Sequence, residues 1–392
     1  MAAADRLDGR RIWFVGIGGA GLSSYAFLAR AHGAEVGGWD RVETPYLRGL
    51  AGIELAIAPE PVVPAGWEVV VSTAYADQVE GVPRAQFLAE LVTLQPAIVV
   101  SGAHGKTTTS GMITFVLAEL GLDPAWLIGG EIPQLGGNAG AGEGWLVVEG
   151  DESDRTIERL RPEIAVVTNI ELDHHATFAS AAEIEELFER WLAQVPQVVR
   201  GWELEPTALE LAVPGEHNRR NAAAALAALE LAGVARADAE PVLARFRGAG
   251  RRFEVIGERD GVTVVDDYAH HPSEIAATIA AARERTDGRV LVLFQPHLYS
   301  RTRNLAHEFG NALSAADAVC VTEIYRAREE PVAGVGGRLV LDALDSGVRA
   351  GWTPTVEQGA SLIRRWARPG DLVLTLGAGD VDAAARRLVE RS

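Results

Sequence analysis

The 392-residue sequence predicts an α/β protein built on parallel sheets. Short runs rich in Val, Ile and Leu alternate with alanine-rich helical stretches, which is typical of parallel strands covered on both faces. Most of these runs end in glycine or a polar residue, and ligands of such sheets bind beyond the carboxyl ends of the strands. The runs lie at 11–16, 68–73, 97–102, 145–151, 164–169, 262–267, 289–294, 318–323 and 372–377.

Two predicted boundaries divide the chain into three domains. One lies where the helix-like stretch 83–94 meets Pro96, and the other follows the alanine-rich helix that Gly233 ends, since glycine commonly stops a helix. A chain of this length holds two or three domains at roughly 100–200 residues each. We predict a Rossmann-like domain over 1–94, a phosphate-loop-type ATPase domain over 95–245 and a second Rossmann-like domain over 246–392.

Charge and composition limit the class of partner. A net charge of −18 argues against nucleic acid or an anionic membrane, because both bind basic surfaces. No apolar run reaches the roughly 18 residues of a membrane span, and the first residues lack a signal-peptide pattern. The single cysteine, Cys320, excludes an internal disulfide and fits a reducing compartment. We therefore expect a cytoplasmic protein.

The only lysine of the chain, Lys106, lies in a predicted phosphate-binding turn. The stretch SGAHGKTTTS joins a strand to a helix, so backbone N–H groups of the turn face an anion. A compact ammonium reaches between phosphates where a planar guanidinium does not. The G-x-x-x-x-G-K-[ST] pattern is incomplete, because Val100 stands at its first glycine. We predict that Lys106 contacts the β- and γ-phosphates of a nucleotide and that Thr107 or Thr108 holds Mg²⁺.

A glycine-rich turn near the N-terminus predicts a second nucleotide site. Gly16, Gly18 and Gly21 fit the fingerprint G-x-G-x-x-G between a strand and a helix. Asp40 ends the next strand about 20 residues on, where an acidic side chain bonds a ribose hydroxyl. The pattern fits NAD, a UDP-sugar or a merely tight turn.

Polar clusters follow the later strands as well. The segment 147–154 carries four carboxylates, more than a strand end holds without cations, and Mg²⁺ prefers such oxygen ligands. Asn218 and Asn221 lie three apart at a helix start, where they hold a purine edge or cap the helix. The last third of the chain adds a set of groups that could close on the first set: Asp267, Tyr268, His270, His297, Arg301 and Arg303.

Eight motifs in order along nearly the whole chain together resemble the Mur ligase family. They are GIGGAGLS, GAHGKTTT, EGDESD, TNIELDHH, GEHNRRNAAAALA, RRFE, DDYAHHPSE and FQPHLYSRTR. The resemblance implies an enzyme that uses ATP and Mg²⁺ to join L-alanine to the carboxylate of UDP-N-acetylmuramate through an acyl phosphate, in peptidoglycan precursor synthesis. The alternatives are a ligase that attaches a tripeptide to the same sugar nucleotide and a non-catalytic UDP-sugar sensor.

The resemblance also implies roles for particular residues. The catalytic residues would be Lys106, Glu149, His174 and His270, and the metal ligands would be Thr107, Glu149 and His174. ATP would contact Gly102, His104, Gly105, Lys106, Thr107, Thr108, Asn218, Asn221, Arg252 and Asp267. The UDP-sugar would contact Gly16, Gly18, Gly19, Gly21, Asp40, Ser72 and Thr73. The amino acid would contact Tyr268, His270, His297 and Arg301.

The chain departs from the family pattern in three respects. Leu298 stands where family members commonly have an arginine, so one expected partner of the amino-acid carboxylate is missing. The stretch between His174 and Gly215 is shorter than usual. Family members that act later in the pathway often hold a metal with a carbamylated lysine, which is excluded here because the only lysine is already assigned to phosphate.

Overall fold

A computed structural model describes residues 7–172, 177–178, 180–327 and 329–390. It contains three sheets, and the chain divides into two compact units. The first unit comprises residues 1–210 and 220–246 and holds the first two sheets, whereas the second comprises 211–219 and 247–392 and holds the third. Within the described ranges, no helix is both long and apolar enough to cross a membrane.

The first sheet has five parallel strands in the order β3-β2-β1-β4-β5. Its elements are β1 (Arg11–Val15), α1 (Ala20–Ala31), β2 (Glu35–Asp40), β3 (Glu54–Ile57), β4 (Glu68–Val71), β5 (Val82–Pro83) and α2 (Arg84–Val92). The strand order reverses between β1 and β4. A crevice for ligands is therefore expected beyond the carboxyl ends of these two strands.

The second sheet has six strands in the order β11-β10-β6-β9-β7-β8, and only the β7–β8 pair is antiparallel among its described pairs. Its elements are β6 (Ala97–Ser101), α3 (Lys106–Glu119), β7 (Ala125–Ile132), β8 (Gly137–Gly140), β9 (Leu146–Glu149), β10 (Ile164–Val167), α4 (Ala181–Leu192), β11 (Gln197–Arg200), α5 (Glu216–Leu231) and α6 (Arg236–Leu243). One continuous buried cluster joins residues of the first and second sheets.

The third sheet has six strands in the order β12-β13-β17-β14-β15-β16, and the β12–β13 pair is antiparallel. Its elements are β12 (Glu254–Arg259), β13 (Val262–Asp267), α7 (Pro272–Arg283), β14 (Val290–Phe294), α8 (Tyr299–Leu313), β15 (Ala318–Thr322), α9 (Arg338–Asp342), β16 (Arg349–Thr353), α10 (Val356–Trp366), β17 (Leu372–Leu376) and α11 (Asp382–Val389). Both faces of this sheet are covered by buried apolar clusters.

All nine apolar runs form strands, which confirms the predicted α/β class. The sequence missed edge strands such as β3, β12 and β16, because each has exposed positions that interrupt an apolar run. The predicted boundaries after residues 94 and 245 fall between the elements of successive sheets. The three-domain boundaries themselves stay a prediction.

Candidate active site

The turn between β6 and α3, residues 101–106, contains two glycines with positive φ angles. Gly102 has a φ of +127° and Gly105 a φ of +83°, a region in which other residues are strained. The side chain of Asn169 accepts a hydrogen bond from His104 N and donates one to His104 O, both at 2.9 Å. Thr168 Oγ1 also donates to His104 O at 2.5 Å. These bonds hold the turn at the carboxyl end of β6.

Lys106 begins α3 and points its ammonium back into this turn. Nζ donates to Gly102 O at 2.5 Å and lies 3.1 Å from both carboxylate oxygens of Glu152. Burial lowers the pKa of Lys106, but the charges of Glu152, Glu149 and Asp151 outweigh burial and raise it above its usual value. The ammonium therefore stays charged, as a phosphate ligand must.

The four carboxylates of the acidic turn, residues 149–154, face three different partners. Glu152 is fully buried and pairs with Lys106. Asp154 and Asp151 pair with Arg84, at 2.8 Å and 3.6 Å from its Nη2. Side-chain cations thus account for three of the four carboxylates, so the excess of acid is weaker evidence for metal ions than the sequence suggested.

The remaining carboxylate, Glu149, lies beside the turn that carries Lys106. Thr107 Oγ1 donates to Glu149 Oε1 at 3.2 Å, and Gly129 N donates to Glu149 Oε2 at 2.8 Å. The hydroxyl and the carboxylate form a pair of hard oxygen donors, and this donor set fits Mg²⁺. The third predicted ligand, His174, lies outside the described residues.

Four other predicted ATP contacts lie at or beside this turn within the first unit: His104, Thr107, Thr108 and Asn221. Thr107 and Thr108 are buried in the first turn of α3. A Cβ on Gly105 would lie 2.3 Å from Asn221 Oδ1, so Asn221 packs directly on the turn. His104 Nε2 lies 3.3 Å from Glu171 Oε2. Asn218 belongs to the second unit, and its Nδ2 donates to the carbonyl of Pro214 at 2.6 Å. This bond supports a structural role at the helix start, the alternative to a contact with a purine edge.

The glycine-rich turn of the first sheet lies beyond β1, between the ends of β2 and β4. Asp40 is buried, and its Oδ2 accepts a hydrogen bond from Gly18 N at 2.7 Å. A Cβ on Gly16 would lie 2.6 Å from Ser72 Oγ, a buried hydroxyl without a hydrogen-bond partner in the described structure. The structure thus brings Gly16, Gly18, Asp40 and Ser72 together at the strand reversal, whereas Thr73 is exposed beside Ser72. Gly19 and Gly21 begin α1.

The predicted amino-acid residues lie together in the second unit. The ring centroid of His270 lies 5.3 Å from that of Tyr268 and 6.0 Å from that of His297. Arg301 is buried, and its Nη1 lies 3.4 Å from His297 Nδ1. Arg303, by contrast, is exposed. The geometry therefore favours Arg301 over Arg303 as the arginine of this cluster.

Two predicted ATP contacts, Arg252 and Asp267, lie beside this cluster. The guanidinium of Arg252 stacks on the ring of Tyr268 at 5.0 Å and approaches Glu274 Oε1 at 3.5 Å. Asp267 accepts hydrogen bonds from Phe253 N and Ala269 N, both at 2.7 Å. Burial raises the pKa of Asp267 to about 6. Both of its oxygens already organise the local backbone.

Leu298, which replaces the arginine expected at its position, has a strained backbone. Its φ is +70° with a ψ of 136°, a region that costs a side-chain-bearing residue about 1–3 kcal/mol. Leu298 N donates to Tyr325 O at 3.0 Å, and Leu298 O accepts from Thr302 N. These bonds fix the conformation at the start of α8, next to His297 and Arg301.

Comparison with known sequences identifies relatives over nearly the whole chain. The Mur ligase middle domain matches residues 100–200, and the Mur ligase, glutamate ligase domain matches residues 251–379. A UDP-N-acetylmuramate–L-alanine ligase of Streptomyces coelicolor is 40% identical, with 96% of each chain covered. The chain belongs to the Mur ligase family.

A second sequence relative and a solved structure support the family assignment. A UDP-N-acetylmuramate–L-alanine ligase of Pelotomaculum thermopropionicum is 37% identical over 454 aligned positions, which cover 97% of each chain. That alignment is longer than this chain, so the chain lacks segments that the relative has. The crystal structure of the UDP-N-acetylmuramate–alanine ligase from Thermotoga maritima matches with a TM-score of 0.78 and 28% identity, covering 96% of this chain and 98% of that one.

Two residues of this Mur ligase site were not among those predicted. Glu152 was counted as one of several carboxylates, although a buried lone lysine needs a carboxylate partner and Glu152 is that partner. Arg84 gave no sequence signal beyond its place at the start of a helix-like stretch. Only the fold brings Arg84 to the acidic turn.

Proposed function

We propose that this Mur ligase joins L-alanine to the carboxylate of UDP-N-acetylmuramate with consumption of ATP. The observation that carries the proposal is the turn that holds the only lysine, with a charged ammonium at the helix start and the Thr107–Glu149 oxygen pair beside it. The names of the two relatives, which match over 96% or more of each chain, support the same substrates. A cytoplasmic location stays a prediction.

The reaction needs the carboxylate to become a better electrophile. The carboxylate attacks the γ-phosphate of ATP and releases ADP, and the resulting acyl phosphate carries a phosphate leaving group. Charge that develops on the transferred group is stabilised by preorganised cations, and the ammonium of Lys106 lies at the helix N-terminus where phosphates bind. Thr107 and Glu149, with His174, would hold Mg²⁺, which supplies further charge neutralisation at the phosphates.

The amine of L-alanine then attacks the acyl carbon, and phosphate leaves. The buried guanidinium of Arg301 would pair with the alanine carboxylate. His270 would take a proton from the amine. Its Nδ1 lies 2.9 Å from Tyr268 O and 3.2 Å from Glu274 Oε2, and since both are acceptors, Nδ1 carries the hydrogen. In the neutral ring Nε2 is then the basic nitrogen.

The sugar nucleotide would bind at the first sheet. The first turn of α1 would offer its backbone N–H groups to the diphosphate, since the Gly18 amide is already bonded to Asp40, and Asp40 and Ser72 flank the glycine-rich turn that precedes it. Gly16, Gly18, Gly19 and Gly21 would form the turn, with Thr73 at its rim.

The proposal is tested by measuring ADP release with purified protein, ATP, Mg²⁺, UDP-N-acetylmuramate and L-alanine. We expect ADP and UDP-N-acetylmuramoyl-L-alanine in equal amounts, and no multiple-turnover release of ADP when UDP-N-acetylmuramate or L-alanine is omitted. Product formation with an L-alanyl tripeptide in preference to L-alanine would favour the tripeptide-adding alternative. Binding of UDP-N-acetylmuramate without ADP release under any of these conditions would favour the sensor.

A further inference from the structure

Glu274 lies in the first turn of α7, and its carboxylate contacts the segment that carries His270. Oε2 accepts hydrogen bonds from His270 N at 2.9 Å and from His271 N at 3.3 Å. His271 directly precedes α7, and its Nδ1 accepts a hydrogen bond from Ser273 N, so the side chains of His271 and Glu274 cap the helix reciprocally. The start of α7 is therefore tied to the segment before it.

The same carboxylate oxygen lies beside the ring of His270. Glu274 Oε2 is 3.2 Å from His270 Nδ1, and Nδ1 donates its hydrogen to Tyr268 O at 2.9 Å. The side chains of His270 and Glu274 are only 17% and 11% exposed, so both are largely withdrawn from water. A ring that faces two oxygens at one nitrogen is restricted in its rotation, and its other nitrogen, Nε2, keeps the lone pair.

Arg252 contacts the other oxygen of the Glu274 carboxylate. Its Nη1 approaches Glu274 Oε1 at 3.5 Å, and its guanidinium lies over the ring of Tyr268, 5.0 Å from the centroid. Each oxygen of Glu274 therefore has a partner within the second unit, which restricts the rotation of the carboxylate. A base that is itself oriented by a third group is the usual arrangement where an enzyme activates a nucleophile.

We infer that Glu274 is a positioning residue that holds His270 in the geometry needed to accept a proton from the amine of L-alanine. This inference rests on the proposed function, in which His270 Nε2 is the base. It adds a residue whose role is to act through His270 rather than on the substrate. Proton transfer needs a base within hydrogen-bond reach, and a displacement of about 1 Å can cost about 100-fold in rate.

Two substitutions at position 274 separate the reach of the side chain from its charge. Aspartate keeps a negative charge near the helix N-terminus but is shorter by one carbon–carbon bond, about 1.5 Å, so it does not reach the ring of His270. Glutamine has the length of glutamate and suits the same cap position, but it is neutral.

The measurement is kcat for ADP release at saturating ATP, UDP-N-acetylmuramate and L-alanine. Glu274→Asp should lower kcat by about tenfold or more, because His270 is displaced, and Glu274→Gln should keep most of the activity. The reverse order would overturn the inference, because the charge of Glu274 rather than its reach would then matter.

Thr355→Ala is the matched control for a weakened helix cap. Thr355 Oγ1 accepts a hydrogen bond from Gln358 N at the start of α10, which lies in the same unit as α7. The control should lower stability in urea unfolding and leave kcat unchanged. A fall in kcat equal to that of Glu274→Asp would overturn the inference, because loss of stability would then explain both results.

A His270→Gln background tests whether Glu274 acts through His270. Residues that act as a unit have non-additive effects, so Glu274→Asp should not lower kcat further in this background. An equal fall there would overturn the inference while the proposed function stands.

The ¹⁵N NMR spectrum of protein with labelled histidine tests the position of His270 without any catalysis. The signals of His270 are assigned by their loss in His270→Gln, and they are compared at pH about 8, where an ordinary histidine is neutral. Glu274→Asp should reduce the Nδ1–H form of His270, and Glu274→Gln should keep it. Equal spectra in both variants and the unchanged protein would overturn the inference. If the unchanged protein releases no ADP, the proposed function fails, and this spectrum still decides whether Glu274 positions the ring.

Discussion

Replacing Lys106 with methionine should destabilise the protein as well as inactivate it. Glu152, whose side chain is 1% exposed, would become a buried carboxylate that has lost its lysine partner. Removing one partner of a buried ion pair typically costs about 3–5 kcal/mol, because the other charge is left uncompensated. Adding Glu152→Gln removes that charge. We therefore expect the double variant to regain most of the lost stability and none of the activity.

The companion substitution Lys106→Arg keeps the charge and changes only its shape. Nζ lies 2.5 Å from Gly102 O and 3.1 Å from the Glu152 oxygens, a space fitted to an ammonium. A guanidinium is larger and planar, so it displaces either the turn or the acidic side chain. Ligation should fall well beyond tenfold, which corresponds to about 1.4 kcal/mol in the barrier.

Urea unfolding followed by tryptophan fluorescence, together with ADP release, measures both effects. The order of stability should be unchanged protein, then Lys106→Met/Glu152→Gln, then Lys106→Met. Equal stability of the single and double variants would refute the claim that Lys106 neutralises a buried Glu152. Activity of Lys106→Arg within tenfold of the unchanged protein would refute its role at the phosphates.

Other substitutions test the metal, the amino acid and the pH response. Thr107→Ala and Glu149→Gln should each raise the Mg²⁺ concentration needed for ADP release but leave calorimetric UDP binding intact; lost UDP binding would contradict the assignment. Arg301→Ala should raise the KM for L-alanine by about tenfold or more at saturating ATP, and Leu298→Arg should lower it. An unchanged KM in Arg301→Ala would place the carboxylate elsewhere. Leu298→Gly should stabilise the protein by about 1 kcal/mol in urea unfolding, because glycine tolerates the positive φ; a loss of stability would mean that the leucine side chain outweighs the strain. Burial lowers the pKa of His217 from 6.5 to about 4, so stability present above pH 6.5 should be lost as the pH falls toward 4. His217→Gln should flatten this acid limb of the unfolding curve, and an unchanged limb would exclude His217 as its cause.

Local patterns predicted the fold better than they predicted the partners within the site. Buried parallel strands are continuous apolar runs, so β6 and β13 were readable from the chain alone. The start of α4 also follows a local pattern, because Ser180 accepts a hydrogen bond from Glu183 N and a serine followed three positions later by glutamate is typical of a helix start. The pairing of Arg84 with the acidic turn joins residues about 70 positions apart, and no local pattern encodes such a contact.

Sequence patterns also fail to predict the partners of the carboxylates, because residue type gives the charge of a side chain but not where it points in the fold. Glu149 and Glu152 lie three positions apart, yet the first faces Thr107 and the second faces Lys106. The spacing of Asp40 predicts a ribose contact, which stays a prediction, and the structure adds that its Oδ2 accepts a hydrogen bond from Gly18 N. Whether a carboxylate organises the protein or binds a ligand depends on contacts that form only in the folded chain.

The acidic turn gives a physical reason for the single lysine of this protein. The carboxylates of this turn have three partners: Glu149 contacts Thr107, Glu152 pairs with Lys106, and both Asp151 and Asp154 pair with Arg84. Arg84 pairs with two carboxylates at once, and a planar guanidinium with several donors suits this arrangement. At the Lys106 position the cation fits between a carbonyl and one buried carboxylate, and under the proposed function it also reaches a phosphate, which a point charge on a flexible stem does better. We therefore expect arginine to suit the position of Arg84 and not to replace the lysine at position 106.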